Sequence, residues 1–90
     1  MKSLLAKSFV VLFRKLPEYV RHTARKNYRL WKENHSHPGL EFKCVNQKKN
    51  WYSVRVGIGW RAVGVRVLHD DVETIVWFWI GSHSDYDKLL

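Results

Sequence analysis

One cysteine, one methionine and two prolines are all that this chain of 90 residues holds of those types, and its acidic residues number half its basic ones. With Cys44 alone, no intramolecular disulfide can form. A secreted disulfide scaffold is thereby excluded, and a reducing cytoplasm is the expected compartment. Cys44 itself reads as a small buried hydrophobe rather than a nucleophile. No apolar run approaches the ~20 residues needed to span a bilayer. The opening MKSLLAKSFVVLF is interrupted by Lys7 and no small-residue cleavage site follows it, so it is read as part of a soluble fold and not as a leader. Internal repeats, low-complexity tracts and linkers are also lacking, which leaves a single domain, 1–90, with one modest core.

The scarcity of acid against sixteen Lys plus Arg leaves a net charge of +8. On so small a domain that excess calls for a polyanionic partner, nucleic acid or an acidic protein before an anionic membrane surface. Five Trp, four Tyr and four Phe within 46% hydrophobic content argue for a folded core, because disordered chains lack such aromatic mass.

The stretch from Thr74 to Leu90 organises the chain. TIVWFWI is apolar on both alternating faces, Ile75, Trp77 and Trp79 against Val76, Phe78 and Ile80, as expected of a strand inside a sheet. It ends at Gly81, and His83, Asp85 and Tyr86 follow, so titratable groups are delivered to a rigid rim. Upstream, Lys2 to Ala6 read as a short edge strand. Phe9, Leu12, Phe13 and Leu16 recur at helical spacing. Pro17 suits the first turn of a second helix running to about Glu33, with Val20, Ala24, Tyr28 and Trp31 as its apolar stripe. Its other face, Arg21, Arg25, Lys26, Arg29 and Lys32, reads as solvated. After the NHSHPG turn come strands at Leu40 to Val45, Trp51 to Val56 and Trp60 to Leu68. Connections this short enforce antiparallel neighbours. The expected fold is α+β, two N-terminal helices packed on one face of a small, mainly antiparallel sheet.

Alternation turns Tyr52, Val54 and Val56 toward the helices and Trp51, Ser53 and Arg55 away from them. It adds Glu41, Lys43, Ala62, Gly64 and Arg66 to the polar face. Arg61 falls with Val63, Val65 and Val67 on the helix side, unless a bulge near Gly59 re-aims it or it caps the strand end.

Lys43, Arg55, Arg61 and Arg66, with His83 and Tyr86 at the rim, are residue types suited to phosphodiester cleavage. Arginines stabilise charge building on a phosphate while His and Tyr exchange protons. RNA brings its own nucleophile in the 2′-OH, so neither metal nor cofactor is required. Each residue also has a structural reading: His83 as a strand-end polar group, Tyr86 as sheet packing, the arginines as solubilising charge. Aromatics interleave with cations at Trp51, Arg55, Trp60 and Arg61, a pattern that suits the stacking of unpaired bases. Lys48 and Lys49 extend the basic surface in the turn before Trp51. His35 and His37 have the one metal-like spacing, but no acidic or thiolate partner is placed nearby, so a turn-forming loop is the reading and no metal is expected. Ser82, His83 and Asp85 are too close in sequence to act as nucleophile, base and orienter.

The order LPEYV, HPGLEFK, WYSVRVG, WRAVGVR and IVWFWIGSHSDYDKLL resembles the RelE/ParE superfamily of bacterial type II toxins over nearly the whole chain. The resemblance implies a small α+β toxin neutralised by an acidic antitoxin. It implies one of two activities: RelE-like members cut mRNA on the ribosome by 2′-OH attack, whereas ParE-like members poison DNA gyrase and need no nuclease residues. Carried over, Arg61 matches the arginine of the aromatic-Arg motif, a transition-state stabiliser. Arg55 falls where some RelE-like members have a lysine, and His83 where YafQ-type members have a catalytic His. Tyr86 approximates the C-terminal aromatic that meets the substrate, and Lys43, Arg66, Trp51, Lys48 and Lys49 are the expected RNA contacts. Ser53 stands where RelE has another lysine, and the middle-strand His and Asp of the YafQ pattern are missing. The His83 and Tyr86 ending favours ribosome-dependent mRNA cleavage, with gyrase poisoning or an inactive toxin fold as the alternatives.

Overall fold

The computed structural model describes residues 1–90. A short strand β1 (Lys2–Leu5) leads into α1 (Lys7–Arg14) and α2 (Glu18–Glu33). A 3-10 turn (Pro38–Leu40) then introduces β2 (Lys43–Asn46), β3 (Trp51–Gly57), β4 (Trp60–His69) and β5 (Val72–Ser82), and α3 (His83–Leu89) closes the chain. The sheet order is β1-β5-β4-β3-β2. The last four strands form an antiparallel meander, as their short turns require, and β1 alone pairs in parallel, with β5. The strand with two apolar faces thus lies inside the sheet. No helix is long and apolar enough to cross a membrane.

Both N-terminal helices pack on one face. On α1, Phe9 and Phe13 stack at i, i+4 with ring centroids 6.1 Å apart. On α2, Glu18 sits favourably in the first turn and the buried stripe is Val20, Ala24 and Trp31. Trp31 anchors the core, edge-on to Phe42 at 5.5 Å and to Trp77 at 5.6 Å. Such aromatic pairs add about 0.5–1.5 kcal/mol each beyond their burial. Ser3, Tyr28 and Trp77 tie strand to helix: the Ser3 and Tyr28 hydroxyls are 2.6 Å apart, and Trp77 Nε1 donates to Ser3 Oγ at 3.0 Å.

Register corrects the assignment of faces. Val54 pairs with Ala62 and Tyr52 with Gly64, so Ala62 and Gly64 face the helices. Arg61, Val63 and Val65 pair with Arg55, Ser53 and Trp51 and face away. The phase read for β4 from alternation is therefore inverted: its small residues make room for the core, and Arg61 stands on the open face with no bulge needed at Gly59. The irregularity lies on β3 instead, between Arg55 and Gly57. There Asn27 Nδ2 donates to the carbonyls of Arg55 (3.4 Å) and Val56 (3.0 Å).

A second bulge corrects β5. Val63 pairs with Trp79 and Gly64 with Trp77, which leaves Phe78 unmatched. One extra residue shifts the alternation by one. Trp77 and Ile80 therefore enter the core, while Trp79 joins Phe78 on the open face, the latter with its ring 5.2 Å from that of Trp51.

The C-terminal ten residues are not a bare rim. Ser82 Oγ accepts from Asp85 N at 3.2 Å and caps α3. The helix folds back on the open face, where Tyr86 is buried.

Candidate functional site

Three rows of side chains cross the open face. Arg55, Arg61 and Gly81 form the first; Lys43, Ser53, Val63 and Trp79 the second; Trp51, Val65, Val76 and Leu4 the third. The first row is cationic, the third apolar, and Tyr86 covers part of the second.

Arg55 and Arg61 are direct cross-strand partners, so two guanidinium groups share one end of the face. Arg61 Nη2 pairs with Glu41 Oε2 at 3.2 Å, with the Arg61 side chain largely covered and that of Glu41 half exposed. Arg55 has no acidic partner. Glu41 shares the face of Lys43, as alternation expected.

His83 begins α3 immediately after the two residues, Gly81 and Ser82, that pair with Arg61 and Trp60. Its backbone N–H donates to Gly59 O at 2.8 Å, which fixes the helix start against the β3–β4 turn. Its side chain is half exposed, and Nδ1 lies 3.3 Å from Asp87 Oδ2 one helical turn on. A carboxylate on Nδ1 leaves Nε2 free to face a substrate. Tyr86 is placed differently: it is 7% exposed and its hydroxyl donates to buried Ser53 Oγ at 3.1 Å. In this arrangement it clamps α3 to the sheet, and it reaches a ligand only when α3 lifts.

The expected RNA contacts are divided. Lys43 is exposed on the open face in register with Ser53. Trp51, with Lys49 Nζ 4.5 Å above its ring, lies at the opposite end of β3 from Arg55, ~13 Å away at ~3.3 Å per residue. Lys48 is exposed in the adjacent turn. Arg66 is a correction: it points to the helix side, where Nη2 pairs with Glu73 at 2.6 Å and Nη1 donates to the Tyr52 hydroxyl at 3.1 Å. Glu73 first, then Tyr52, raise its pKa above its ordinary value, so this guanidinium is held in a structural pair.

Arg55, Arg61, Lys43 and His83 thus share one region of the molecule, with Trp51, Lys48 and Lys49 toward the far end of the same sheet. Two further residues of the region, Asp87 and Glu41, are not among the site residues the sequence predicts. Asp87 was legible from its i, i+4 spacing to His83. Glu41 was legible only as a polar-face residue, because its pairing depends on a left-handed turn. His37 Nδ1 accepts from Gly39 N at 3.1 Å and His35 packs on Trp31 and Phe42, so both serve the loop and core. Cys44 is exposed on β2, not buried, because β2 is the edge strand. On the opposite face, a cavity of about 370 Å³ opens between α1, α2 and the sheet. Phe9, Phe13, Tyr28, Trp31 and Val54 line it together with exposed Arg14 and Arg25.

The family model of the ParE-like toxin domain matches residues 18–88. No curated protein matches the sequence. Among solved structures, the fold is similar to that of a RelB–RelE antitoxin–toxin complex from Methanococcus jannaschii, with TM-score 0.65, 21% identity, and 97% of this chain and 99% of that one covered. The YoeB/ParE toxin from Agrobacterium tumefaciens gives TM-score 0.67 at 11% identity, covering 92% and 99%. The isolated RelE toxin of E. coli gives 0.63 at 14%, covering 99% and 98%.

Proposed function

Because the chain belongs to the ParE-like toxin family, we propose that it is the toxin of a toxin–antitoxin pair and acts as a metal-independent endoribonuclease on ribosome-bound mRNA. The observation that carries this reading is the Arg55–Arg61 cross-strand pair at the end of the sheet from which His83 starts α3. A phosphodiester set against the two guanidiniums has its developing charge offset. The 2′-oxygen then attacks phosphorus and the P–O5′ bond breaks, leaving a 2′,3′-cyclic phosphate and a 5′-hydroxyl. His83 Nε2 takes the 2′ proton or gives one to the leaving O5′, solvent water making the other transfer, with Asp87 holding the ring.

The partner that neutralises the toxin is an acidic antitoxin, in keeping with the RelB–RelE complexes among its structural neighbours. The apolar cavity between α1 and α2, with Arg14 and Arg25 exposed beside it, suits apolar side chains carried on an acidic segment.

Gyrase poisoning is the second reading. The ParE-like family match favours it, and so do the Glu41–Arg61 pair and the burial of Tyr86, which occupy two of the nuclease groups. One preparation decides. mRNA cut on translating ribosomes in EDTA, with gyrase unaffected, supports the nuclease. Intact mRNA with cleaved DNA trapped on gyrase refutes it.

A further inference from the structure

Arg55 and Arg61 stand opposite each other where side chains of an antiparallel pair have Cβ atoms about 4.5–5.5 Å apart and like charges repel. One carboxylate is paired in this region, Glu41 Oε2 at 3.2 Å from Arg61 Nη2, and Arg55 has none. Glu41 gets there from a left-handed backbone, φ 47 and ψ 42, which residues bearing a Cβ disfavour. The turn imposes it: Leu40, 1% exposed, enters the core on one side and Phe42 packs edge-on to Trp31 on the other. Glu41 N–H also donates to Pro38 O. Glu41 is thereby aimed at the open face. The Arg61 side chain is 18% exposed against 47% for Glu41, so the carboxylate is the half of the pair that a ligand meets.

From this placement we propose that Glu41 is the resident counter-ion of a phosphate site formed by Arg55 and Arg61, and that an RNA phosphodiester takes its place at Arg61 Nη2. The proposal rests on the nuclease reading of the open face. The exchange is of one anion for another, with no covalent step: the carboxylate turns to water and the phosphate bridges the two guanidiniums. Glu41 is therefore a positioning residue. It holds Arg61 against the sheet while the site is empty and sets how strongly the site takes a phosphate.

The test uses the full chain and a short labelled single-stranded 2′-O-methyl RNA, which has no free 2′-OH and is not cut, titrated between about 50 and 200 mM salt. Glu41→Gln keeps the side chain's size and an acceptor for Arg61 while removing the charge. It should bind about threefold to tenfold more tightly at low salt, with a log–log salt slope steeper by about 0.7, the value of one more single-strand phosphate contact. Glu41→Gly suits the left-handed backbone and should show the same gain, which covers the case of a turn disturbed by Gln. The gain should vanish in an Arg61→Ala background. Binding by both variants equal to or weaker than wild type, at an unchanged slope, overturns the proposal. Failure of the nuclease reading looks different: Arg55→Ala and Arg61→Ala would then leave RNA binding untouched.

Discussion

Tyr86 donates its hydroxyl hydrogen to Ser53 Oγ across 3.1 Å, and this buried bond joins the C-terminal helix to the middle of the sheet. Tyr86 also packs on Trp79, with ring centroids 6.4 Å apart. Part of the open face is therefore roofed by α3, held at its start by the His83 N–H bond to Gly59 O and at Tyr86 by Ser53 and Trp79. Tyr86→Phe should cost about 1–3 kcal/mol, because it strands a buried hydroxyl. Amide exchange across 83–89 should quicken more than elsewhere, and thermal melting with exchange mass spectrometry measures both. Uniform quickening over the whole chain would show that the bond serves global stability and not the docking of α3.

Ser53 shows how far the sequence could be read. It was visible as a departure from the lysine found in RelE, but the departure looked like a loss of charge. Its use, as acceptor for a tyrosine 33 residues on, depends on the helix that carries Tyr86. That helix had a local signal in Ser82 three residues before Asp85, which the pull of a strand ending at Gly81 obscured. The meander, the two N-terminal helices and the interior place of β5 were legible because periodicity and turn length act locally. Trp79 and Ile80 exchanged faces because a bulge at Phe78 leaves no mark on an all-apolar run, whose two faces look alike. Arg61 and Arg66 exchange faces with respect to the alternation because Ala62 and Gly64, small enough to suit a polar surface, face the helices instead, where their smallness is what the aromatic core requires.

Gly64 is the sharpest test of that core. A Cβ there would meet Ile75 Cγ1 and Trp77 Cε3 at 2.9 Å and the Val76 carbonyl oxygen at 3.0 Å. Gly64→Ala should lose about 1–3 kcal/mol by overpacking. Gly59, at φ +80 with nothing near its added Cβ, is limited by backbone conformation alone, so Gly59→Asn should cost less. Urea denaturation of both variants checks the ranking, and a reversed order would mean that Gly64 does not face the core.

The antitoxin should respond to two kinds of change in different ways. Arg14→Ala and Arg25→Ala remove charge beside the cavity and should mainly slow association, most strongly at low salt. Phe13→Ala removes part of the wall and should mainly speed dissociation. Surface-plasmon kinetics at two ionic strengths separates the effects. An association rate indifferent to both the arginines and salt would remove the electrostatic part of the claim, and unchanged dissociation for Phe13→Ala would move the antitoxin to another surface.

His83 carries the catalytic reading more than any other residue, and its surroundings make that reading testable. Its side chain is 50% exposed, and its pair with Asp87, itself 65% exposed, is a surface i, i+4 contact. Such pairs contribute about 0–1 kcal/mol, so His83→Ala should leave the fold nearly as stable. Backbone attachment to Gly59 O is untouched by the substitution. A general acid or base at this position should nonetheless be worth on the order of 10²- to 10⁴-fold in cleavage. Single-turnover cutting on ribosomes and thermal melting, measured on one preparation, separate the two roles. A large rate loss with a small melting shift assigns the proton transfer to His83. Arg61→Ala should also be slow, by loss of charge stabilisation and not of a proton. A His83→Ala protein that cuts within about threefold of wild type, a barrier change well under ~1.4 kcal/mol, would end the assignment. The proton carrier would then have to be sought in Tyr86, which requires α3 to leave the sheet. In that case the Tyr86→Phe variant, and not His83→Ala, would lose far more cleavage per folded molecule than its loss of stability explains.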